Sequence, residues 1–68
     1  MDKGGPLTSR ELEVLHLVAA GYSNREIADQ LIVSRSTVCS HLEHIYDKLG
    51  ASGRVEAAAE GLRRGLID

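Results

Sequence analysis

Most of what a short chain can use to staple itself together is missing here. There is a single cysteine, Cys39, so no internal disulfide can form. The three histidines lack zinc-finger spacing, which removes a structural metal as the organiser. No apolar run approaches the roughly 20 residues that span a bilayer, and the polar, glycine-rich start has no signal-peptide core. Nucleophile elbow, phosphate loop and zinc-hydrolase motifs are all absent. There is also no excess of positive charge: 8 Lys and Arg stand against 10 Asp and Glu, a formal net charge of −2. Catalysis and membrane insertion are therefore poor readings. A lone free thiol suits a reducing, cytoplasmic setting. Sixty-eight residues are enough for one domain, and its stability must come from helix packing, with possible help from a second copy.

What is present is helix punctuation. Residues 1–6 read as a flexible segment, and 7–68 as one domain. Thr8-Ser9-Arg10-Glu11 is a capping box, with Leu7 and Leu12 placed as a hydrophobic staple. Leu12, Leu15, Val18 and Ala19 follow at helical spacing, and Gly21 stands where a left-handed residue would end the helix. A second box, Ser23-Asn24-Arg25-Glu26, opens a short helix with Ile27, Ala28 and Leu31 as its buried face. Ile32 and Val33 are too few and too closely flanked for a strand. Ser34 then caps the longest helix, whose stripe is Val38, Leu42, Ile45 and Leu49, flanked by His41 and Tyr46 and stopped by Gly50. Ser52 offers a cap for a fourth helix carrying Val55, Ala58, Ala59 and Leu62, with Gly65 closing it and Leu66 and Ile67 as an apolar tail. Gly61 inside that helix costs about 1 kcal/mol relative to alanine, which points to a close approach by another backbone, or to a bend. The expected fold is all-α, a four-helix helix-turn-helix domain with helices over about 9–20, 24–31, 35–49 and 53–64.

A short helix, a tight turn and a longer helix with a polar N-terminal half form the layout in which a second helix enters the DNA major groove. The stretches Leu7 to Leu15, Gly21 to Ala28, Ser36 to His41, Lys48-Leu49-Gly50 and Arg54 to Ala57 resemble the LuxR-type (GerE- or NarL-type) C-terminal DNA-binding domain of bacterial transcription regulators. The likeness covers about 7–67. It implies recognition by the third helix and homodimerisation commonly through the fourth. Carried onto this chain, it makes Arg25 and Arg35 candidates for phosphate contacts. Ser34 caps the third helix, and Ser36 and Thr37 lie close to the backbone at its start. Cys39, Ser40 and Glu43 fall on the face that meets the groove. Val55, Ala58, Ala59 and Leu62 would lie between core and dimer seam. The implied partners are double-stranded DNA, a second copy of the chain and, through transcription control, RNA polymerase. No cofactor is implied.

Two positions depart from the pattern. Cys39 stands where the family motif usually has lysine, and Glu43 where some members are basic. Neither replaces a phosphate contact, so altered sequence preference or weak monomer affinity is expected. The same departures motivate an alternative, a helix-turn-helix turned protein-interaction module with weak or no DNA binding. His41 and His44 share a helical side but lack the further ligands of a metal site. Arg63 and Arg64 suit either a phosphate or the C-terminal end of the helix dipole. Glu11 and Glu26 are accounted for by their capping boxes.

Overall fold

A computed structural model describes residues 6–67; most of the segment expected to be flexible lies outside the described residues. Four helices follow in order: α1 Ser9–Ala19, α2 Asn24–Leu31, α3 Arg35–Leu49 and α4 Arg54–Arg63. The expected all-α helix-turn-helix architecture is thus the observed one, with each boundary within a residue of its expected place.

Local chemistry sets the first three starts. Thr8 Oγ1 accepts from the Glu11 amide at 3.1 Å while Glu11 Oε1 accepts from the Thr8 amide at 2.9 Å. Ser23 and Glu26 repeat the reciprocal pair at 3.1 and 2.8 Å. Ser34 Oγ accepts from the Thr37 amide at 3.1 Å. Each arrangement satisfies first-turn amides that have no partner inside the helix. The fourth start differs from expectation. Gly53, not Ser52, is the cap residue and offers no side chain; instead the Ser52 amide donates to Glu56 Oε1 at 2.7 Å.

The core lies where α1, α3 and α4 converge and α2 closes one side. Its centre is Val14, Leu15, Ile27, Val38 and Ile45, all fully buried, with Leu42 and Leu49 extending the α3 stripe as expected. On α1 the buried side is Glu11, Val14, Leu15 and Val18, so Ala19 is exposed and Leu12 only half-buried. Leu7 and Leu12 line one shallow cleft together with Leu49 and Leu66, consistent with the staple.

Helix α4 corrects the expected pattern most. Ala57 and Gly61 are its buried residues, while Val55 is 82% and Leu62 53% exposed. A Cβ on Gly61 would stand 2.9 Å from Leu15 Cδ2 and 3.2 Å from Ile67 Cδ1. The close approach expected at this glycine is real, but side chains make it, not another backbone. Ile67 is itself buried, so the apolar tail belongs to the core, with Leu66 half-buried beside it.

The turn between α2 and α3 holds one unusual residue. Ile32 takes a left-handed conformation (φ 58°, ψ 52°) and is 90% exposed, while Val33 turns inward against the core. A β-branched residue is poorly suited to that conformation, which costs roughly 1–2 kcal/mol for an L-residue.

Candidate nucleic-acid interface

The N-terminal half of α3 is presented by three sets of contacts. Its inner stripe, Val38 and Leu42, seats against the core. Ser34 caps it, and Ser34 Oγ lies 2.9 Å from Thr37 Oγ1. Two hydroxyls sharing one hydrogen bond use one proton between them, leaving the other O–H available to an outside acceptor such as a phosphate. The third set comes from α4. Arg54 donates to the Tyr22 carbonyl and, at 2.7 Å, to Asn24 Oδ1, and Asn24 Nδ2 in turn reaches Cys39 Sγ at 3.7 Å. This chain ties the α4 start to the α2 start and the flank of α3. Neither Asn24 nor Arg54 drew a role from the sequence. Arg54 lay within a recognised motif, but its partners are 30 and 32 residues away and no local signal marks them.

The candidate residues divide by position. Arg25 near the start of α2 and Arg35 at the start of α3 are exposed. Among the described residues they are the two cations without an ion pair or side-chain hydrogen bond. Ser34 and Ser36 are exposed and Thr37 half-buried at the same helix end, where free amides favour anions. Ser36, Ser40, Glu43 and Asp47 recur at helical spacing opposite the buried stripe, and all four are exposed. Cys39 is exposed and free, and sits on the flank facing Asn24. The four residues assigned to a seam, Val55, Ala58, Ala59 and Leu62, lie on the side of α4 away from Ala57 and Gly61; Ala58 is half-buried and the others exposed.

At the far end of α3 a buried charge anchors the helix to α1. Glu11 is 4% exposed, and Lys48 Nζ donates to its Oε1 at 2.7 Å. Burial alone would raise the Glu11 pKa. Hydrogen bonds from Lys48 and from the Thr8 amide, with the lysine charge, outweigh it and hold the carboxyl below its ordinary value. His44 Nδ1 stands 3.9 Å from Glu11 Oε2 at the exposed edge of this pair. Glu11 therefore does more than the capping assigned to it. Arg63 and Arg64 both engage Glu60, at 2.6 and 2.9 Å, and Arg64 also donates to the Leu49 carbonyl, joining the C-terminal ends of α3 and α4. The two arginines hold Glu60 below the ordinary carboxyl range. Among the described residues no group of three or more His, Cys, Asp or Glu is placed to hold a metal ion, and no helix is long and apolar enough to cross a membrane.

The start of α3 is thus an exposed polar helix face presented over a capped turn. The family described as bacterial regulatory proteins, luxR family, matches residues 5–60. The chain belongs to the luxR family. An HTH-type transcriptional regulator of Mycobacterium bovis is 49% identical over 61 residues, covering 90% of this chain and 7% of that protein. The transcriptional regulatory protein NarL of Mycobacterium tuberculosis is 47% identical over 62 residues, covering 91% of this chain and 29% of that protein. The solved structure of the transcription factor GerE superposes with a TM-score of 0.85 at 42% identity, covering 91% of this chain and 92% of that one. The chain thus spans under a third of the two regulators' length and nearly all of GerE. It is a luxR-family helix-turn-helix domain of the DNA-binding, transcription-regulating class, and not an enzyme.

Proposed function

We propose that this luxR-family domain reads a specific DNA sequence, with α3 in the major groove and α4 joining two copies on adjacent half-sites. The observation that carries the reading is the pair of exposed arginines without intramolecular partners, Arg25 and Arg35, beside the capped start of α3. In this arrangement Arg25, Arg35, Ser34, Ser36 and Thr37 hold phosphates and fix the register, and Ser40, Cys39 and Glu43 face base edges. Cysteine is small and weakly polar, suited to a thymine methyl rather than to a phosphate.

Two free cations among the described residues make a thin electrostatic footprint, consistent with the acidic net charge of −2. At about 0.9 counterions released per neutralised phosphate, log affinity should fall with log salt at a slope near −2 per domain, where basic domains are steeper. Such a monomer binds weakly, and a dimer multiplies the contacts. Val55, Ala58, Ala59 and Leu62 provide an apolar strip for the seam. A domain of 30 × 26 × 20 Å also fits side-by-side copies on half-sites about one helical turn, ~34 Å, apart. The bound dimer, acting in the cytoplasm, would control transcription by touching or excluding RNA polymerase.

The test is selection from duplexes with a randomised core, followed by anisotropy of the enriched sequence over a range of salt. One enriched sequence, with binding weakened in Arg35→Ala and Thr37→Ala, is expected. Unchanged affinity in both variants sinks the assigned surface. A second reading, a protein-interaction module, is favoured by the lack of any cation among Ser36, Ser40, Glu43 and Asp47. Clear retention on bulk DNA at low salt counts against it.

A further inference from the structure

The outward face of α3 is notable for what its carboxylate lacks. Among the described residues five of six glutamates have an intramolecular partner: Glu11 with Lys48, Glu13 with Arg10, Glu26 with the Ser23 amide, Glu56 with the Ser52 amide, and Glu60 with Arg63 and Arg64. Glu43 has none. It is exposed, two turns into α3, on the line with Ser36 and Ser40 that faces away from the core. No lysine or arginine stands on that line to neutralise it.

We infer that Glu43 selects a cytosine in each half-site by accepting a hydrogen bond from the base's exocyclic amino group. The inference rests on the DNA-reading function proposed above. A carboxylate is an acceptor only, and phosphates repel it, so in a groove it must find a base donor. The major groove offers two, cytosine N4–H and adenine N6–H. On adenine the donor sits beside the N7 acceptor, which repels a carboxylate; on cytosine no acceptor of the same base adjoins it. The unpaired state of Glu43 means that no intramolecular bond has to break on docking.

The position of that cytosine follows from the helix. Seven residues separate Ser36 from Glu43, about 10 Å at 1.5 Å per residue, which is roughly three base pairs at 3.4 Å each. The selected cytosine therefore lies about three steps from the point where Ser36 and the capped end of α3 meet the DNA.

The experiment compares the chain with Glu43→Gln and Glu43→Ala, each checked for helicity by circular dichroism, in selections from random-core duplexes and in low-salt binding to bulk duplex. Since Glu43 is exposed and has no hydrogen-bond or ion-pair partner among the described residues, both variants should fold. The chain should enrich a site with one dominant cytosine. Glu43→Gln should replace it with adenine, because glutamine pairs with adenine N6 and N7. Glu43→Ala should lose roughly 5- to 30-fold of the preference at that position while bulk-duplex binding rises, since a repelling charge has gone. A merely structural residue would move both affinities the same way. An enriched site without a cytosine dependence, or one unchanged in Glu43→Gln, overturns the assignment and leaves the DNA-reading function standing. Bulk binding with no enrichment overturns both the assignment and sequence-specific reading, leaving only non-specific DNA binding. No binding to any duplex overturns both.

Discussion

Helices α3 and α4 lie side by side and differ in both what holds them and what they show. Helix α3 is capped by Ser34, buries four aliphatic side chains and is tied at its far end to α1 by Glu11 and Lys48. Helix α4 has no side-chain cap, buries only Ala57 and Gly61, and is fastened at its two ends by Arg54 and Arg64. Outward, α3 shows Ser36, Ser40, Glu43 and Asp47, whereas α4 shows Val55 and Leu62. A polar face needs no cover, and a groove can read it. An apolar face loses free energy to water, about 25 cal/mol per Å² of apolar surface, until something buries it. Under the proposed function, the helix that would read DNA is the one seated on the core, while the helix that would join two copies keeps Val55 and Leu62 open for a partner.

The sharpest way to break this contrast is to make the α4 face polar. Leu62→Asp combined with Val55→Asp should leave the monomer's fold intact, since both side chains are already open to solvent. The proposed dimer, sought by sedimentation at tens of micromolar, should form in the parent and be lost in the double variant. Affinity for a duplex carrying two half-sites should fall at least about 100-fold, close to 2.7 kcal/mol, with binding to one half-site unchanged. A dimer that persists in the double variant removes α4 from the seam.

A smaller effect tests what holds α3. Glu11→Gln keeps the cap geometry but leaves the half-buried Lys48 ammonium facing a neutral amide. The expected cost at neutral pH is about 1–2 kcal/mol, or roughly 5–15 °C in a domain of this size. The pH dependence has a definite sign. The folded Glu11 pKa lies below its ordinary 4.5, so the ionised form is favoured in the folded state. Its contribution is fully present above the unfolded value and is lost as pH falls through the folded one. Thermal melts should show the chain and Glu11→Gln converging below about pH 4.5. A gap that stays constant with pH would mean the ion pair contributes nothing.

Sequence reasoning reached the helices more surely than their faces, and the reason is physical. Thr8, Ser23 and Ser34 cap through contacts three residues away, so the starts of α1, α2 and α3 are local facts. The α3 stripe is equally plain, because Val38, Leu42, Ile45 and Leu49 are large and nothing competes with them. On α4 the apolar residues Val55, Ala58, Ala59 and Leu62, two of them larger than alanine, make a better helical stripe than Ala57 and Gly61 do. Which side turns inward is decided by the space left over Leu15, where even a Cβ would be too close at 2.9 Å. Volume is a property of the assembled core, and spacing along one helix does not contain it. Lys48 with Glu11 and Arg54 with Asn24 are separated by 37 and 30 residues, and neither pairing has a local signature. In the candidate interface, the family likeness pointed to the positions, while their exposure and the unpaired state of Arg25, Arg35 and Glu43 required the fold.

A third variant probes the electrostatic side of the proposed DNA-reading surface. Arg35 has no partner among the described residues to lose, so Arg35→Ala should leave the stability within about 0.5 kcal/mol of the parent. Binding to every duplex should weaken several-fold, and the slope of log affinity against log salt should become shallower by about 1. Weakening confined to one sequence would instead make Arg35 a base contact.

The smallest expected effect concerns the turn that sets the angle between α2 and α3. Ile32 is β-branched, left-handed and 90% exposed, so it carries backbone strain without offsetting burial. Asparagine adopts this conformation more readily, because its short polar side chain can bond locally. Ile32→Asn should therefore raise stability by about 0.5–1 kcal/mol, a few degrees in a thermal melt. Val33 remains as the inward anchor, and the α3 cap is untouched, so affinity for the enriched duplex should stay within twofold. A gain in stability with equal binding would make Ile32 a plain strain site. Loss of binding in a stabilised variant would place the Ile32 side chain at the DNA, extending the reading surface from α3 onto the turn.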